Sequence, residues 1–247
     1  MQLFPVSVAI ITKNEEHNIE DALKSVADAR EIIVVDSFSS DKTVEICRKY
    51  TEKVFQHHWE GFAKQKQKAV DYAGGEWILI LDADERVTPG LKTEIKSAIS
   101  NADCNGYYIP RENYFIGKCI KHGGWWPDQT LRLFKKNKGH FEVREVHEKV
   151  VVEGQTAYLK NPLKHYTYRS ISDFVLRADN YSTLAAREIK KYSGNAGLFS
   201  FTIKPLATFI KMYFLRRGFL DGTRGLILAL LYSYYTLLKY VKVWERK

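Results

Sequence analysis

The sequence reads as an α/β protein, a largely parallel sheet flanked by helices and followed by a C-terminal helical appendage. Three observations predict this. Short, unbroken apolar runs recur through the first third of the chain, as they do in strands covered on both faces. The segments between them carry apolar residues at helical spacing. Three of the runs end in acids or small polar residues, and in open α/β sheets ligands bind beyond such strand ends. A β-α-β series of this kind closes through right-handed crossovers.

The first strand is Val6-Ser7-Val8-Ala9-Ile10-Ile11, ending in Thr12-Lys13-Asn14-Glu15-Glu16. Asn14 is a good N-cap, and Glu15 and Glu16 suit the first turn of a helix that carries Ile19, Ala22, Leu23 and Val26. Ile32-Ile33-Val34-Val35 follows as the second strand, ending in Asp36-Ser37-Phe38-Ser39-Ser40-Asp41-Lys42-Thr43. Ser39 or Ser40 can cap the next helix, with Val44 and Cys47 on its apolar side, and Val54-Phe55 is a short strand. A helix from about residue 62 to 73 stops at Gly74-Gly75. Trp77-Ile78-Leu79-Ile80-Leu81 then leads into Asp82-Ala83-Asp84-Glu85.

That last turn is the most informative feature. Three acids at the end of a buried strand repel one another unless a cation or a set of donors compensates them. Asp-x-Asp with a small residue between suits a hard divalent metal carrying a diphosphate. A helix-capping acid cluster is the alternative.

Taken in order, these strand ends resemble a family 2 glycosyltransferase of the GT-A fold, a Rossmann-like architecture. A second block comprises Gly123-Gly124-Trp125-Trp126-Pro127-Asp128, Leu131-Arg132-Leu133-Phe134, Val146-His147-Glu148 and His165-Tyr166. It is similar to the subfamily that adds glucose to the inner-core heptose of bacterial lipopolysaccharide through a β-1,4 linkage. The resemblance implies residues 1–170 as the transferase domain and residues 171–247 as a basic, aromatic, membrane-associating region. It also implies an inverting reaction with a UDP-sugar donor, a lipid-linked saccharide acceptor and a divalent metal, Mg²⁺ or Mn²⁺.

Site residues carry over one by one. Asp36 would accept a hydrogen bond from the uracil N3–H, with Thr12, Asn14 and Glu15 against base and ribose; capping the next helix is the alternative for Asp36. Asp84 would coordinate the metal, Asp82 would touch the ribose or a metal-bound water, and His165 would complete the metal site or serve as a hydrogen-bonded core histidine. Arg132 would bind phosphate or acceptor, or make a structural ion pair. The base that deprotonates the acceptor hydroxyl is Glu148 or Asp128, with Glu148 favoured. Adjacent tryptophans in an extended segment point to opposite sides, so one of Trp125 and Trp126 is available to stack on a sugar ring. Lys64, Lys66 and Lys68 read as a solvated face. One position departs from the family pattern: Phe38 stands where a glycine usually forms the turn after the second strand.

Bulk properties agree with this. The chain has 247 residues, enough for one ordinary core plus an appendage. Cys47, Cys104 and Cys119 are widely spaced, which fits a reducing cytoplasm and argues against a disulfide framework. The N-terminus enters a strand almost at once, so no secretory signal is expected. Residues 1–159 carry a net charge of −2 and residues 160–247 a net charge of +11. The basic third interleaves aromatic residues with Leu and Ile, the composition of helices lying on an anionic bilayer surface. Residues 225–238 are uncharged, but spanning a bilayer takes about twenty residues, so in-plane helices are expected, and the resemblance implies the cytoplasmic face of the inner membrane as their place. A buried helix pair or an interface with a second copy is the alternative. The tail's apolar content argues against nucleic acid. A nucleotidyltransferase would need a Gly-rich phosphate loop near the N-terminus, where Thr12-Lys13-Asn14-Glu15 stands instead.

Overall fold

The computed structural model describes residues 3–100, 103–142, 149–193 and 197–245. The chain divides into two compact units, Met1–Arg111 with Gln129–His165, and Glu112–Asp128 with Tyr166–Lys247.

The first unit begins with β1 (Phe4–Thr12), α1 (Ile19–Ser25), β2 (Ala29–Asp36), α2 (Thr43–Arg48), β3 (Val54–Gln56), α3 (Phe62–Tyr72) and β4 (Trp77–Asp82). It continues through β5 (Glu85–Val87), α4 (Pro89–Ser100) and β6 (Gly106–Phe115). After β7 (Lys118–Cys119), which belongs to the second unit, come β8 (Asp128–Lys135), β9 (Gly139–Glu142), β10 (Lys149–Val152), β11 (Thr156–Tyr158) and β12 (Leu163–Tyr168). The main sheet has the order β3-β2-β1-β4-β8-β6-β12-β5. β1 pairs in parallel with β2 and β4, whereas β8 runs antiparallel to β4, and β5 antiparallel to β12. The result is a mixed, mostly parallel α/β sheet of the GT-A type.

Strand alternation explains why the apolar runs are unbroken. Val6, Val8, Ile10, Val34, Leu79 and Leu81 face a core shared with α1, α2 and α4, through side chains such as Leu23, Cys47 and Leu91. Ala9, Ile11, Ile33, Val35, Ile78 and Ile80 face a second core closed by α3, through Ala63, Ala69 and Val70. The parallel register places Thr12 opposite Asp36 and Ile11 opposite Asp82, so three strand ends finish at nearly one level.

The start of α1 differs from expectation. Asn14 does not cap it: the residue has φ +54°, and the helix begins at Ile19. The intervening loop is held by side chains that follow β2: Ser39 accepts the Asn14 amide and Thr43 accepts the Glu15 amide. α2 likewise has no serine cap; Asp41 accepts the Thr43 amide at 3.0 Å.

In the second unit β7 pairs with the end of β6, and α5 (Ile171–Ser193), α6 (Leu198–Ile210) and α7 (Thr223–Glu245) supply the helices. A π-helical turn, Lys211–Leu215, and a 3₁₀ turn, Gly218–Asp221, link α6 to α7. Glu112–Asp128 packs with these helices: Phe115, Ile120, Trp125 and Leu228 form one cluster. By length and composition the helical stretches Leu198–Leu215 and Thr223–Glu245 are each long enough to cross a membrane. The second exceeds the uncharged run because Lys239 and Lys242 continue the helix, with Lys239 over the Tyr235 ring and Lys242 bonded to Asp179.

A polar clamp fixes the opposite end of the first unit's sheet. The Glu31 carboxylate accepts from the Ser7 hydroxyl at 2.5 Å and from the Gly74 and Gly75 amides at 2.6 and 3.0 Å, and pairs with Lys53. Burial opposes the charge, but Lys53, Ser7 and Gly74 outweigh it and bring the carboxyl from an ordinary 4.5 to about 2. A depressed folded-state pKa stabilises above the unfolded value and loses that stabilisation as pH falls toward the folded one. Glu31→Gln is therefore expected to cost about 1–3 kcal/mol at pH 7 in denaturant melts. The deficit should shrink as the pH drops from about 4.5 to about 2. An equal deficit at pH 7 and pH 2.5 would contradict this account.

Candidate active site

The turn joining β4 to β5 sends its three acids to three different partners. Asp82 pairs with Lys66 of α3 at 2.9 Å and with Arg132 of β8. Glu85, fully buried, accepts from Arg132 at 2.7 Å, from Arg111 of β6 at 3.4 Å, and from the Asp82 amide at 3.0 Å. Asp84 lies 3.4 Å from Nε2 of His165, which the β5–β12 register sets directly opposite Glu85. Mutual repulsion is thus relieved by four basic side chains of the same unit.

The charge states follow. Burial disfavours the Asp82 carboxylate, but Arg132 and Lys66 overcome it and hold its pKa well below the usual range. Burial would lower the His165 pKa, yet the Asp84 carboxylate, helped by Glu85, raises it above the ordinary value. Asp82 is paired with Lys66 and Arg132, and Arg132 ties β8 to the β4–β5 turn. Among the described residues no group of three or more His, Cys, Asp or Glu side chains gathers as a self-contained metal site.

At the β1 and β2 ends, two loops strap each other. The Asn14 amide donates to Ser39 Oγ at 2.8 Å and its side-chain oxygen accepts the Ser40 amide at 2.8 Å. The Glu15 amide donates to Thr43 Oγ1 at 2.8 Å, while the Glu15 carboxylate accepts from Asn18 at 2.7 Å. Asp36 is fully buried, and its carboxylate accepts from the Ser39 amide and hydroxyl and from Gln56. Thr12 is buried beside it with its hydroxyl unpartnered among the described residues. Phe38 has φ +54°, the backbone that glycine ordinarily supplies, and its exposed ring lies 4.5 Å from that of His58.

In the second unit, Trp125 is buried against Phe115, Tyr168 and Tyr232, while Trp126 is 39% exposed. Asp128 accepts from the Asn113 amide at 2.9 Å. Glu148 lies outside the described residues.

Sequence reasoning misplaced Lys66 and missed Arg111, and it counted Glu85 among the three clustered acids without assigning it a role. Lys66 is buried rather than solvated, because it shares the inward face of α3 with Ala63, Ala69 and Val70. The helical period held the signal, since Lys66 falls at core spacing.

The sequence pattern described as Glycosyl transferase family 2 matches residues 7–167, which covers both of these strand-end systems and the loop bearing Asp128. The chain belongs to glycosyl transferase family 2. It is 28% identical over 255 residues to the lipopolysaccharide core biosynthesis glycosyltransferase LpsC of Rhizobium meliloti (strain 1021), covering 98% of this chain and 93% of that one. In fold it is similar to the mannosyltransferase PcManGT of Pyrobaculum calidifontis, solved with GDP-Man and Mn²⁺ (TM-score 0.54, 16% identity, 98% and 88% of the two chains). It is also similar to S. aureus TarS 1-349 solved with UDP (TM-score 0.51, 18% identity, 97% and 90%). This family 2 enzyme is a nucleotide-sugar glycosyltransferase.

The ion network makes Arg132 the member whose loss should cost most. Arg132→Ala leaves two buried acids short of compensation, and is expected to lower unfolding free energy by about 3–5 kcal/mol in urea titrations. A loss below about 1 kcal/mol would show that Lys66 and Arg111 hold the turn without it.

Proposed function

We propose that this glycosyltransferase moves a hexose, glucose from UDP-glucose, onto a lipid-linked acceptor such as the heptose of the lipopolysaccharide inner core, with inversion. The observation that carries the reading is the Asp84–His165 pair at the end of β4, level with Thr12 and Asp36 at the ends of β1 and β2. The similarity to LpsC along nearly the whole chain supports the acceptor class, and cytoplasmic-face action on a membrane-borne substrate goes with it.

Asp36 and Thr12 are the base-side contacts, Asp36 taking the uracil N3–H once Ser39 or Gln56 yields a place on its carboxylate. Asn14 and Glu15, on the strapped loop, lie toward the ribose. The donor set fits a divalent cation in a particular way. One carboxylate and one imidazole are too few for a cation held by protein alone, but they suit Mg²⁺ or Mn²⁺ that shares diphosphate oxygens and keeps some water. Asp84 and His165 would hold it, and it would supply Lewis-acid stabilisation of the charge on departing UDP. Asp82 keeps Arg132 in place. Trp126 offers an exposed ring to a sugar face. Glu148 or Asp128 takes the proton of the attacking hydroxyl as the new C–O bond forms.

Calorimetric titration with UDP-glucose and Mn²⁺ tests the donor half. Asp84→Ala should weaken binding at least about tenfold, a change of roughly 1.4 kcal/mol, and EDTA should weaken wild type equally. Donor binding unmoved by both would remove the metal from this site. The base is tested by Asp128→Asn and Glu148→Gln. The true base variant should lose about 10²–10⁴-fold in kcat with donor binding intact, and the other should lose little. Full activity in both would overturn the assignment.

A further inference from the structure

Three consecutive backbone amides in the loop that leads to Asp128 donate to the C-terminal region. Lys121 and His122 donate to the Asp221 carboxylate at 3.2 and 2.8 Å, and Gly123 donates to the Arg216 carbonyl at 2.8 Å. The His122 ring nitrogen Nδ1 also lies 3.2 Å from Asp221, whose exposure is only 6%. Further along, Trp125 seats against Leu228 and Tyr232 of α7. The close fit is built in: a Cβ at Gly124 would lie 2.0 Å from the Arg216 guanidinium, and one at Gly225 would lie 1.9 Å from the Gly218 carbonyl. The turns between α6 and α7 are the floor on which this loop rests.

Those turns are continuous with an outward apolar stripe. Phe199, Ile203, Leu206, Ile210 and Phe214 follow one another at helical spacing, 41–64% exposed. The opposite side of α6 is committed to α7, through Ser233 to the Pro205 carbonyl at 2.9 Å and Thr208 with Thr236 at 3.2 Å. Exposed Lys211, Arg216 and Arg217 border the stripe where α6 gives way to the turns. An apolar face edged with cations, in a region of net charge +11, fits an anionic lipid surface. A second copy of this chain would set one such cationic region against another.

We propose that seating the stripe on an anionic bilayer also fixes the Asp128 loop, because the segment bordering the stripe is the segment that holds residues 121–123. Asp221 is then a positioning residue, acting on the reaction through the loop. The proposal rests on the membrane-facing reading of the tail and adds to it that docking and ordering of the loop are one event. A transferase so built has an ordered acceptor side only where its acceptor resides.

Amide hydrogen exchange of the full chain, read by mass spectrometry with and without vesicles, tests it. Phosphatidylcholine vesicles containing phosphatidylglycerol should bind the protein and slow exchange at residues 121–125 about tenfold, whereas pure phosphatidylcholine should do neither. Asp221→Asn should still bind the anionic vesicles but keep fast exchange in this loop. Phe199→Glu combined with Leu206→Glu, on the exposed side, should lose vesicle binding and loop protection together. UDP-glucose binding by each variant confirms that it is folded. Bound vesicles with unchanged exchange at 121–125 would overturn the coupling while leaving the membrane reading intact. No vesicle binding, or a dimer in sedimentation that shields the stripe, would overturn the membrane reading itself.

Discussion

The arrangement depends on one compensation of charge. Three carboxylates follow a buried strand with a single alanine among them, and such a cluster is tolerated inside a protein only if opposite charge meets it with good geometry. Lys66 comes from α3, Arg111 from β6, Arg132 from β8 and His165 from β12, so four separate elements converge on one four-residue turn. The turn acts as a fastening point for the sheet. It also gives the acids different partners: Asp82 meets Lys66 and Arg132, Glu85 meets Arg132 and Arg111, and Asp84 is turned toward the imidazole.

The second constraint is the mutual strapping of the β1 and β2 loops. Parallel strands end in loops with no ladder partners of their own, and here each loop supplies side-chain acceptors for the other's amides. The strapping explains the two left-handed residues. Asn14 and Phe38 both adopt φ +54°, and a non-glycine residue there costs roughly 1–2 kcal/mol. Asn tolerates the conformation well; Phe does not, so the loop geometry that a glycine usually gives is retained at Phe38 through its surroundings. The aromatic ring is carried outward, beside His58, at the carboxyl end of β2.

Periodicity carried the fold. The apolar runs, their helical interludes and their polar ends were sufficient to read the α/β order, because a doubly covered strand must be apolar at every position. Local rules failed where tertiary partners won. Asn14 has the composition of a helix cap, yet Ser39 and Ser40 claim its amide and side chain from 25 and 26 residues away. Lys66 has the composition of a solvated face, yet Asp82 brings it inside. Arg132 carried two readings in the sequence, and its pairing with Asp82 and Glu85 is visible only once β4 and β8 lie side by side. Residue type alone does not disclose which of three neighbouring acids will be paired inward.

The tail shows the same limit from another side. Its charge and aromatic content led to the expectation of a membrane-surface segment, and nothing in composition linked it to Gly123-Gly124-Trp125-Trp126. The link is steric and polar. Gly124 sits at φ +88°, a backbone that glycine favours, with the Arg216 side chain close over it, and Gly225 must lack a side chain because the Gly218 backbone occupies the place. Two glycines that look like loop flexibility in one case and a helical weakness in the other are both sites of close approach within one unit. A segment with such contacts is part of the scaffold of the loop it touches, and its exposed apolar side is the remainder left after that scaffolding. The same short stretch of chain therefore faces inward with its carbonyls and Asp221, and outward with its rings and cations.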